Sequence, residues 1–295
     1  MPIVVAEAVA PVAGWRPPEA LTYHPTLPLP PYTALVGLLG AARGLSLPDA
    51  YRWVADAGLR LGVGGWSEGR MRDLWKYRKL VDRKDEKVVS DVLLREHWVD
   101  ARLAFVFECP DVRTAESLAR DLAGPRYPLT AGTSDALLKL AAIRVAREGA
   151  TSSRSLAHCM VYGEIPPSYS LAESLESIPL SRLVRAPSVE RLPTGFAFDA
   201  DGRRSLAGRD LVTFVSDPIT LGEGADPVEG YVVEPASRLL RAGAHLKSLE
   251  GLGPWIIPVH RYDSPHSKVP ASSTGPSPRG KTSPESRKDS RTGGT

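Results

Sequence analysis

The sequence predicts an α+β fold, with strands and helices alternating in the N-terminal half and mostly short strands in the C-terminal half. Three observations lead to this prediction: a strand-like start, three helical stretches before residue 125, and short apolar runs separated by turns beyond residue 151. The 295 residues suffice for one large domain or two smaller ones. The hydrophobic share of 42% and the charged share of 24% are ordinary for a soluble globular protein.

The first element is a β-branched run from Ile3 to Ala10, bounded by prolines, which predicts a strand. A proline-rich lead follows, and Thr33 can then cap a helix over Ala34 to Arg43. Gly44 would end this helix in the left-handed conformation that favours glycine.

The second helix would begin at Ser46, in a sequence similar to a capping box, and would end near Ala57 with Gly58 as its stop. In the first helix, Gly37 and Gly40 lie three residues apart on one face. This spacing favours close packing of another element on the helix.

Two strand-like runs come next, Val88 to Leu94 and the alternating run "DARLAFVFE" that ends at Glu108. The stretch "TAESLARDLAGP" has helical periodicity and a Gly-Pro stop, and a last strand is predicted near Leu138 to Val145. The order is strand, helices, strand, strand, helix, strand, which is the ferredoxin-like βαββαβ arrangement. RNA-recognition modules share this plan with many unrelated proteins, so the fold alone does not decide the function.

We expect a domain boundary near residue 145, followed by a β-rich region over residues 146–263. Asp201-Gly202 predicts a hairpin turn within that region. Residues 264–295 are rich in Ser, Pro, Gly and charge, with six basic and two acidic residues. This composition predicts a disordered tail.

Several classes of protein are excluded by what the sequence lacks. It has two cysteines, Cys109 and Cys159, no apolar run of about 18 residues and no signal-peptide pattern. We therefore expect a cytoplasmic protein without a membrane partner. The sequence also has no phosphate-binding loop, no HExxH and no paired cysteine ligands, so it predicts neither a cofactor nor a metal.

The densest basic segment runs from Gly69 to Lys87, where arginines and lysines alternate with aromatic residues. Guanidinium groups suit phosphates and aromatic rings stack on unpaired bases, so the segment predicts an RNA contact. A solvated, charged helix is the alternative, because four acidic residues offset half of the charge. The RNA-binding candidates in this segment are Arg70, Arg72, Trp75, Lys76, Tyr77, Arg78 and Lys79.

Two further places could hold phosphate. The stretch "GPRYPLTAGTSDALLKL" offers Arg126, the Gly132 backbone and the hydroxyls of Thr133 and Ser134, although a turn with a capping side chain explains it equally well. The start of the first helix, Tyr32-Thr33, is the other candidate, since a helix N-terminus attracts anions.

One pair of residues suggests catalysis. His24, beside Tyr23, could act as the general base of a metal-independent ribonuclease. A lone histidine before a proline is more often a loop or packing residue, so a loop role is the alternative.

The segment "PPYTALVGLLGAARGL" resembles a signature of the CRISPR-associated family called Cas five, in the RAMP superfamily. The matching residues are Pro30, Pro31, Thr33, Ala34, Gly37, Leu38, Leu39, Gly40 and Gly44. The resemblance implies an RRM-like N-terminal half with an inserted basic thumb, here about residues 62–100, and a variable C-terminal half.

The resemblance also implies a function. Such subunits bind the five-prime handle of CRISPR RNA, cap one end of a type I interference complex and contact its backbone and large subunits. The first hypothesis is therefore a non-catalytic RNA-binding subunit. The alternatives are an endoribonuclease that processes CRISPR repeat RNA and a protein scaffold with incidental RNA contact.

Overall fold

The computed structural model describes residues 1–82, 87–171, 184–234 and 255–261. The predicted disordered tail, residues 264–295, lies outside this part of the chain. Within it the fold is α+β, with mostly antiparallel strands and few helices, as the sequence predicts. None of the helices in the described ranges has both the length and the apolar composition that crossing a bilayer requires.

The described ranges contain three helices and fifteen strands. The helices are α1 (Tyr32–Arg43), α2 (Leu47–Asp56) and α3 (Val112–Ala123). The strands are β1 (Pro2–Ala13), β2 (Tyr23–His24), β3 (Arg60–Asp82), β4 (Lys87–Glu108), β5 (Lys139–Arg147), β6 (Thr151–Ser153), β7 (Ser155–Leu156), β8 (Cys159–Tyr162), β9 (Tyr169–Leu171), β10 (Ser188–Phe198), β11 (Arg204–Val215), β12 (Ile219–Leu221), β13 (Val228–Val233), β14 (Trp255–Ile257) and β15 (His260–Arg261).

The largest sheet has the strand order β10-β11-β8-β3-β4-β1-β5, with neighbouring strands antiparallel. Strand β15 pairs with β3, and the short β2 pairs with β4 in parallel. Two smaller sheets have the orders β7-β12-β9 and β14-β13-β6. The C-terminal region is therefore mostly strand where it is described, in agreement with the sequence.

The stretches from Val88 to Leu94 and over residues 100–108 are strand, as predicted, but they belong to one continuous strand, β4, so the prediction of two separate strands is wrong. Strand β4 keeps one register with β3 from Glu108 to Val88. Charged residues in the middle of β4 interrupt the apolar pattern of the sequence. Pairing with β3 supplies the backbone hydrogen bonds that hold these residues in a strand.

Both faces of the central sheet are covered. Leu103, Phe105 and Phe107 of the alternating run share one face and pack in the core that includes the three helices. The opposite face is also buried, because Ala104 and Val106 pack in a second cluster that β13 and β14 contribute to. Strands that are buried on both faces have apolar residues at successive positions. The alternation in this run therefore does not mean that one of its faces is exposed to solvent.

The structure confirms two predicted helix boundaries and corrects one. Gly44 ends α1 with a φ of 75°, and the Ser46 side chain accepts a hydrogen bond from the Asp49 amide at 3.3 Å at the start of α2. Thr33, however, does not cap α1. Pro31 occupies the N-cap, without a side-chain hydrogen bond, and Thr33 lies in the first turn. Proline's fixed φ lets the helix begin two residues earlier than predicted.

The two glycines of α1 have different surroundings, which yields a stability prediction. A Cβ at Gly40 would lie 2.8 Å from the Cβ of Ala50 in α2, whereas nothing lies within 4 Å of a Cβ at Gly37. We expect Gly40→Ala to lower the free energy of unfolding by about 1–3 kcal/mol. The matched control, Gly37→Ala, should raise it by about 0.5–1 kcal/mol. Urea denaturation of both variants measures this difference. Equal changes in the free energy of unfolding would show that the packing of α2 on α1 does not require a glycine at residue 40.

Candidate nucleic-acid interface

A two-stranded ribbon extends from the central sheet. It is formed by residues 70–82 of β3 and 87–98 of β4, which pair with each other. The ladder between β1 and β4 ends at the Ala13–Trp98 pair, and in the described chain only β2 flanks the ribbon, at Leu94 and Arg95. The ribbon contains the basic segment that the sequence predicts as an RNA contact, and the alternative of a charged helix is wrong.

Strand alternation separates the candidates of the basic segment into two groups. Successive side chains of a strand point to opposite faces, so even-numbered and odd-numbered residues of β3 lie on different faces of the ribbon. We call the even-numbered side the cationic face; it consists of Arg70, Arg72, Lys76 and Arg78, with Leu74 between them. Trp75 and Tyr77 lie on the other side, so the four cations of the cationic face and these two rings lie on different faces of the ribbon. The Lys79 side chain lies outside the described part.

Carboxylates neutralise only part of the positive charge on the cationic face. Arg70 donates a hydrogen bond to Glu96 at 3.2 Å, and the Arg70 side chain is 28% exposed. In the described ranges no ion pair joins Arg72, Lys76 or Arg78 to a carboxylate. Leu74, in the middle of the row, is 71% exposed. The face therefore combines positive charge with an exposed apolar side chain.

The opposite side of the ribbon, which we call the aromatic face, consists of Asp73, Trp75, Tyr77, Asp91 and Arg95. The rings of Trp75 and Tyr77 stack with centroids 5.3 Å apart and planes 21° apart. The Arg95 guanidinium lies 4.9 Å from the Trp75 ring and pairs with Asp73 at 2.8 Å. The Tyr77 hydroxyl donates to Asp91 at 3.1 Å, and this hydrogen bond raises the pKa of Tyr77.

Tyr23 and His24 lie in β2, beside the ribbon, but their side chains engage different partners. The Arg72 guanidinium lies 5.9 Å from the Tyr23 ring. The His24 Nε2 lies 3.2 Å from the Leu21 carbonyl oxygen and 3.3 Å from Arg16. Burial and then the Arg16 charge lower the pKa of His24, which favours the neutral imidazole at pH 7.

Sequence reasoning missed three arginines at the base of the ribbon. Arg16 contacts His24, and Arg95 lies against Trp75. Burial and then the charge of Arg185 lower the pKa of Arg70, so Arg185 comes near this face from a distant part of the chain. Arg95 could have been found from the strand pattern, but nothing in the local sequence marks Arg185.

The second predicted stretch is divided between two places. Arg126 is exposed, and its amide donates to the Ala42 carbonyl at 2.9 Å, next to the C-terminus of α1. Thr133 and Ser134 follow Gly132, in a loop that packs against the end of β1 through a 3.0 Å hydrogen bond from the Gly14 amide to the Ala131 carbonyl. Arg126 and the Thr133-Ser134 pair therefore lie in two different places and do not form one site.

The predicted anion site at the start of α1 includes Tyr32, whose side chain is buried. This side chain is 2% exposed. Its ring packs edge-on against Tyr162 at 5.9 Å and His260 at 6.0 Å. Thr33 is half-buried in the first turn. Tyr32 is therefore a core residue, because its ring closes the space between α1 and the strands beneath it.

The described residues also bear on metals. In these ranges no three side chains of His, Cys, Asp or Glu come together in a group that could hold a metal ion.

Comparisons with known proteins bear on the identity of the chain. A structure described as "Crystal structure of Cas protein" is 26% identical over 45% of this chain and 57% of that chain, with a TM-score of 0.30. This chain thus spans little more than half of that protein. A "CRISPR RNA-guided surveillance complex" chain is 15% identical over 80% of this chain and 95% of its own, with a TM-score of 0.45.

A further similar structure is a CRISPR protein from Archaeoglobus fulgidus, 10% identical over 80% of this chain and 97% of that chain, with a TM-score of 0.42. No curated protein matches the sequence. The model of the family described as "CRISPR-associated protein (Cas_Cas5)" matches residues 3–186. Because this match covers more than half of the 295 residues, the chain belongs to the CRISPR-associated protein (Cas_Cas5) family.

Proposed function

We propose that the chain is a non-catalytic CRISPR RNA-binding subunit that holds the five-prime handle of the RNA and caps one end of a type I effector complex. Membership in the Cas_Cas5 family supports a role in such a complex. The observation that carries the RNA-binding role is the row of four cations on one face of the projecting ribbon. Its partners would be CRISPR RNA and the backbone and large subunits of the complex.

The spacing of the row suits an extended RNA strand. Alternate residues of a strand lie about 7 Å apart, so the cationic face offers a positive charge at nearly every such step. Lysine and arginine bind phosphate oxygens and release counterions, which gives affinity without sequence preference. Leu74 and its neighbour Val92, 71% and 53% exposed, can contact bases that turn towards the ribbon.

We place this face on a ferredoxin-like, RRM-type domain over residues 1–145. The sheet order β3-β4-β1-β5 with antiparallel neighbours supports this assignment, as do α1 and α2 between β1 and β3, and α3 between β4 and β5. In this proposal the segment at about residues 62–100 is the thumb, and residues 146–263 form the β-rich C-terminal region.

Crosslinking in the assembled complex tests the function. The tagged chain is purified with its bound RNA from cells that carry a CRISPR array, irradiated with ultraviolet light, and the crosslinked RNA is sequenced. We expect crosslinks at the repeat-derived five-prime end of the RNA. Absence of RNA, or crosslinks confined to the spacer, would contradict the proposal.

The nuclease alternative rests on Tyr23 and His24, and it has its own test. A neutral His24 could accept a proton, but its Nε2 already contacts Leu21 and Arg16, and Tyr23 faces Arg72. We therefore expect labelled repeat RNA to stay intact after incubation with the purified chain and EDTA. Cleavage that disappears in the His24→Ala variant, with unchanged RNA binding, would establish the alternative instead.

A further inference from the structure

The proposed RNA-binding role does not use the aromatic face. This face still has the features of a binding surface, because Trp75 is 42% exposed and stacks on Tyr77. Large aromatic side chains at a protein surface are enriched at the centres of protein interfaces. The side chains around them decide what kind of partner fits.

The charge around the aromatic pair is negative. Three carboxylates lie there: Asp73 and Asp91 on the ribbon, and Asp135 from the loop after Gly132. The described side chains oppose them with one cation, Arg95, which pairs with Asp73 at 2.8 Å and Asp135 at 3.6 Å. Among the described side chains, three negative charges against one positive charge leave a formal charge of −2.

Arg95, the cation among the described side chains of this face, is not available to a phosphate. The Arg95 side chain is only 15% exposed, and it is held between the two carboxylates and the Trp75 ring. A phosphate that approached it would meet Asp73 and Asp135, which are 44% and 63% exposed. Like charges at such an interface cost several kcal/mol, so RNA is disfavoured on this side.

We propose that the aromatic face is a docking surface for a basic segment of another protein, whose lysine or arginine side chains approach the carboxylates and the exposed Trp75 ring. A partner cation beside the exposed carboxylates is favourable, and the apolar stem of a lysine or arginine can pack on the part of Trp75 that stays exposed. The ribbon is then held between RNA on its cationic face and protein on its aromatic face. That the partner is a subunit of the same assembly rests on the proposed function; the docking of a basic protein segment does not.

Leu74 and Trp75 are neighbours in β3 but lie on opposite faces of the ribbon, so photocrosslinking from each position can test the proposal. Benzoylphenylalanine, a photoreactive amino acid, is introduced separately at Leu74 and at Trp75, and the tagged complex is purified and irradiated. We expect the probe at Trp75 to attach to a lysine- or arginine-containing peptide of a stoichiometric protein component. The probe at Leu74, one residue away, should attach to RNA.

Each outcome separates the two proposals. Protein at Trp75 without RNA at Leu74 would support the docking surface and contradict the RNA-binding role. RNA at Leu74 together with RNA, or nothing, at Trp75 would overturn the docking surface and leave the RNA-binding role intact.

A second measurement does not depend on the probe. The double variant Trp75→Ala, Asp73→Asn should release that component about tenfold more readily in a salt wash. Its affinity for repeat RNA should stay within about twofold, because the cationic face is unchanged. A loss of RNA affinity without loss of the protein component would overturn the inference.

Discussion

The triple variant Arg72→Gln, Lys76→Gln, Arg78→Gln will bind repeat RNA about a hundredfold more weakly than the native chain at about 0.1 M salt. Each phosphate contact on a single strand contributes about 0.7 to the slope of log K against log salt concentration. Three lost contacts therefore flatten the slope by about 2. The measurement is equilibrium binding of labelled repeat RNA at several salt concentrations.

The choice of these three residues follows from their surroundings. No ion pair involves them in the described part of the chain, so their replacement should change the free energy of unfolding by less than about 0.5 kcal/mol each. Arg70 is left in place because its partner Glu96 also accepts a hydrogen bond from the Thr26 amide at 3.2 Å. Removing Arg70 would disturb the base of the ribbon as well as the RNA contact.

A control with the same change in net charge separates local from general effects. Arg113, Arg120 and Lys139 are exposed on α3 and β5, outside the ribbon. Replacing all three by glutamine should leave the slope unchanged. If this control flattens the slope as much as the ribbon variant does, RNA binds through diffuse charge and the cationic face is not the site.

The location of the basic segment could be predicted from the sequence, but its division into two faces could not. Charge and aromatic content are read directly from residues 69–87, whatever the backbone does. Which side chains share a face depends on whether the backbone is a helix or a strand, and the acidic residues at 82, 85 and 86 are compatible with a charged helix. The strand pairing of β3 with β4 decides it, and Trp75 then lies on the face opposite to Arg72.

Contacts between segments that lie far apart in the sequence are a second reason why the site could be predicted only in part. Asp135 lies 3.6 Å from Arg95 because the loop after α3 packs against the end of β1, beside β4. Arg185 approaches Arg70 across more than 100 positions of sequence. Neither pairing has a local signal, since period and spacing describe only neighbours along the chain. Helix ends such as Ser46 and Gly44 were predictable because their determinants are local.

The variant Gly132→Ala will lower the free energy of unfolding by about 3–5 kcal/mol, a larger loss than we expect for Gly40→Ala. Gly132 has a φ of 97°, and a Cβ there would overlap the Gly14 carbonyl oxygen and lie 2.9 Å from Cδ1 of Trp15. Backbone strain and overpacking thus act together, each worth about 1–3 kcal/mol. Urea denaturation provides the measurement.

Two other glycines isolate the two causes. Gly163 has a φ of 91° but nothing within 4 Å of a Cβ, so Gly163→Ala should lose only about 1–2 kcal/mol from strain. Gly149 has neither a positive φ nor a close neighbour, and Gly149→Ala should be nearly neutral. If Gly132→Ala lowers the free energy of unfolding no more than Gly163→Ala does, the close approach of Gly132 to the end of β1 does not stabilise the fold.

The same variant decides between two roles for the "AGTS" stretch. If the Gly132 backbone grips phosphate, Gly132→Ala will weaken RNA binding even where the variant is fully folded. If Gly132 serves to dock its loop on β1, RNA affinity will be unchanged below the unfolding transition. The structure favours docking of the loop, because the Gly14 amide donates a hydrogen bond to the Ala131 carbonyl. The Gly14 carbonyl oxygen lies so close to Gly132 that little room remains there for a ligand. In the docking role the loop places Asp135 beside Arg95, which connects Gly132 with the aromatic face.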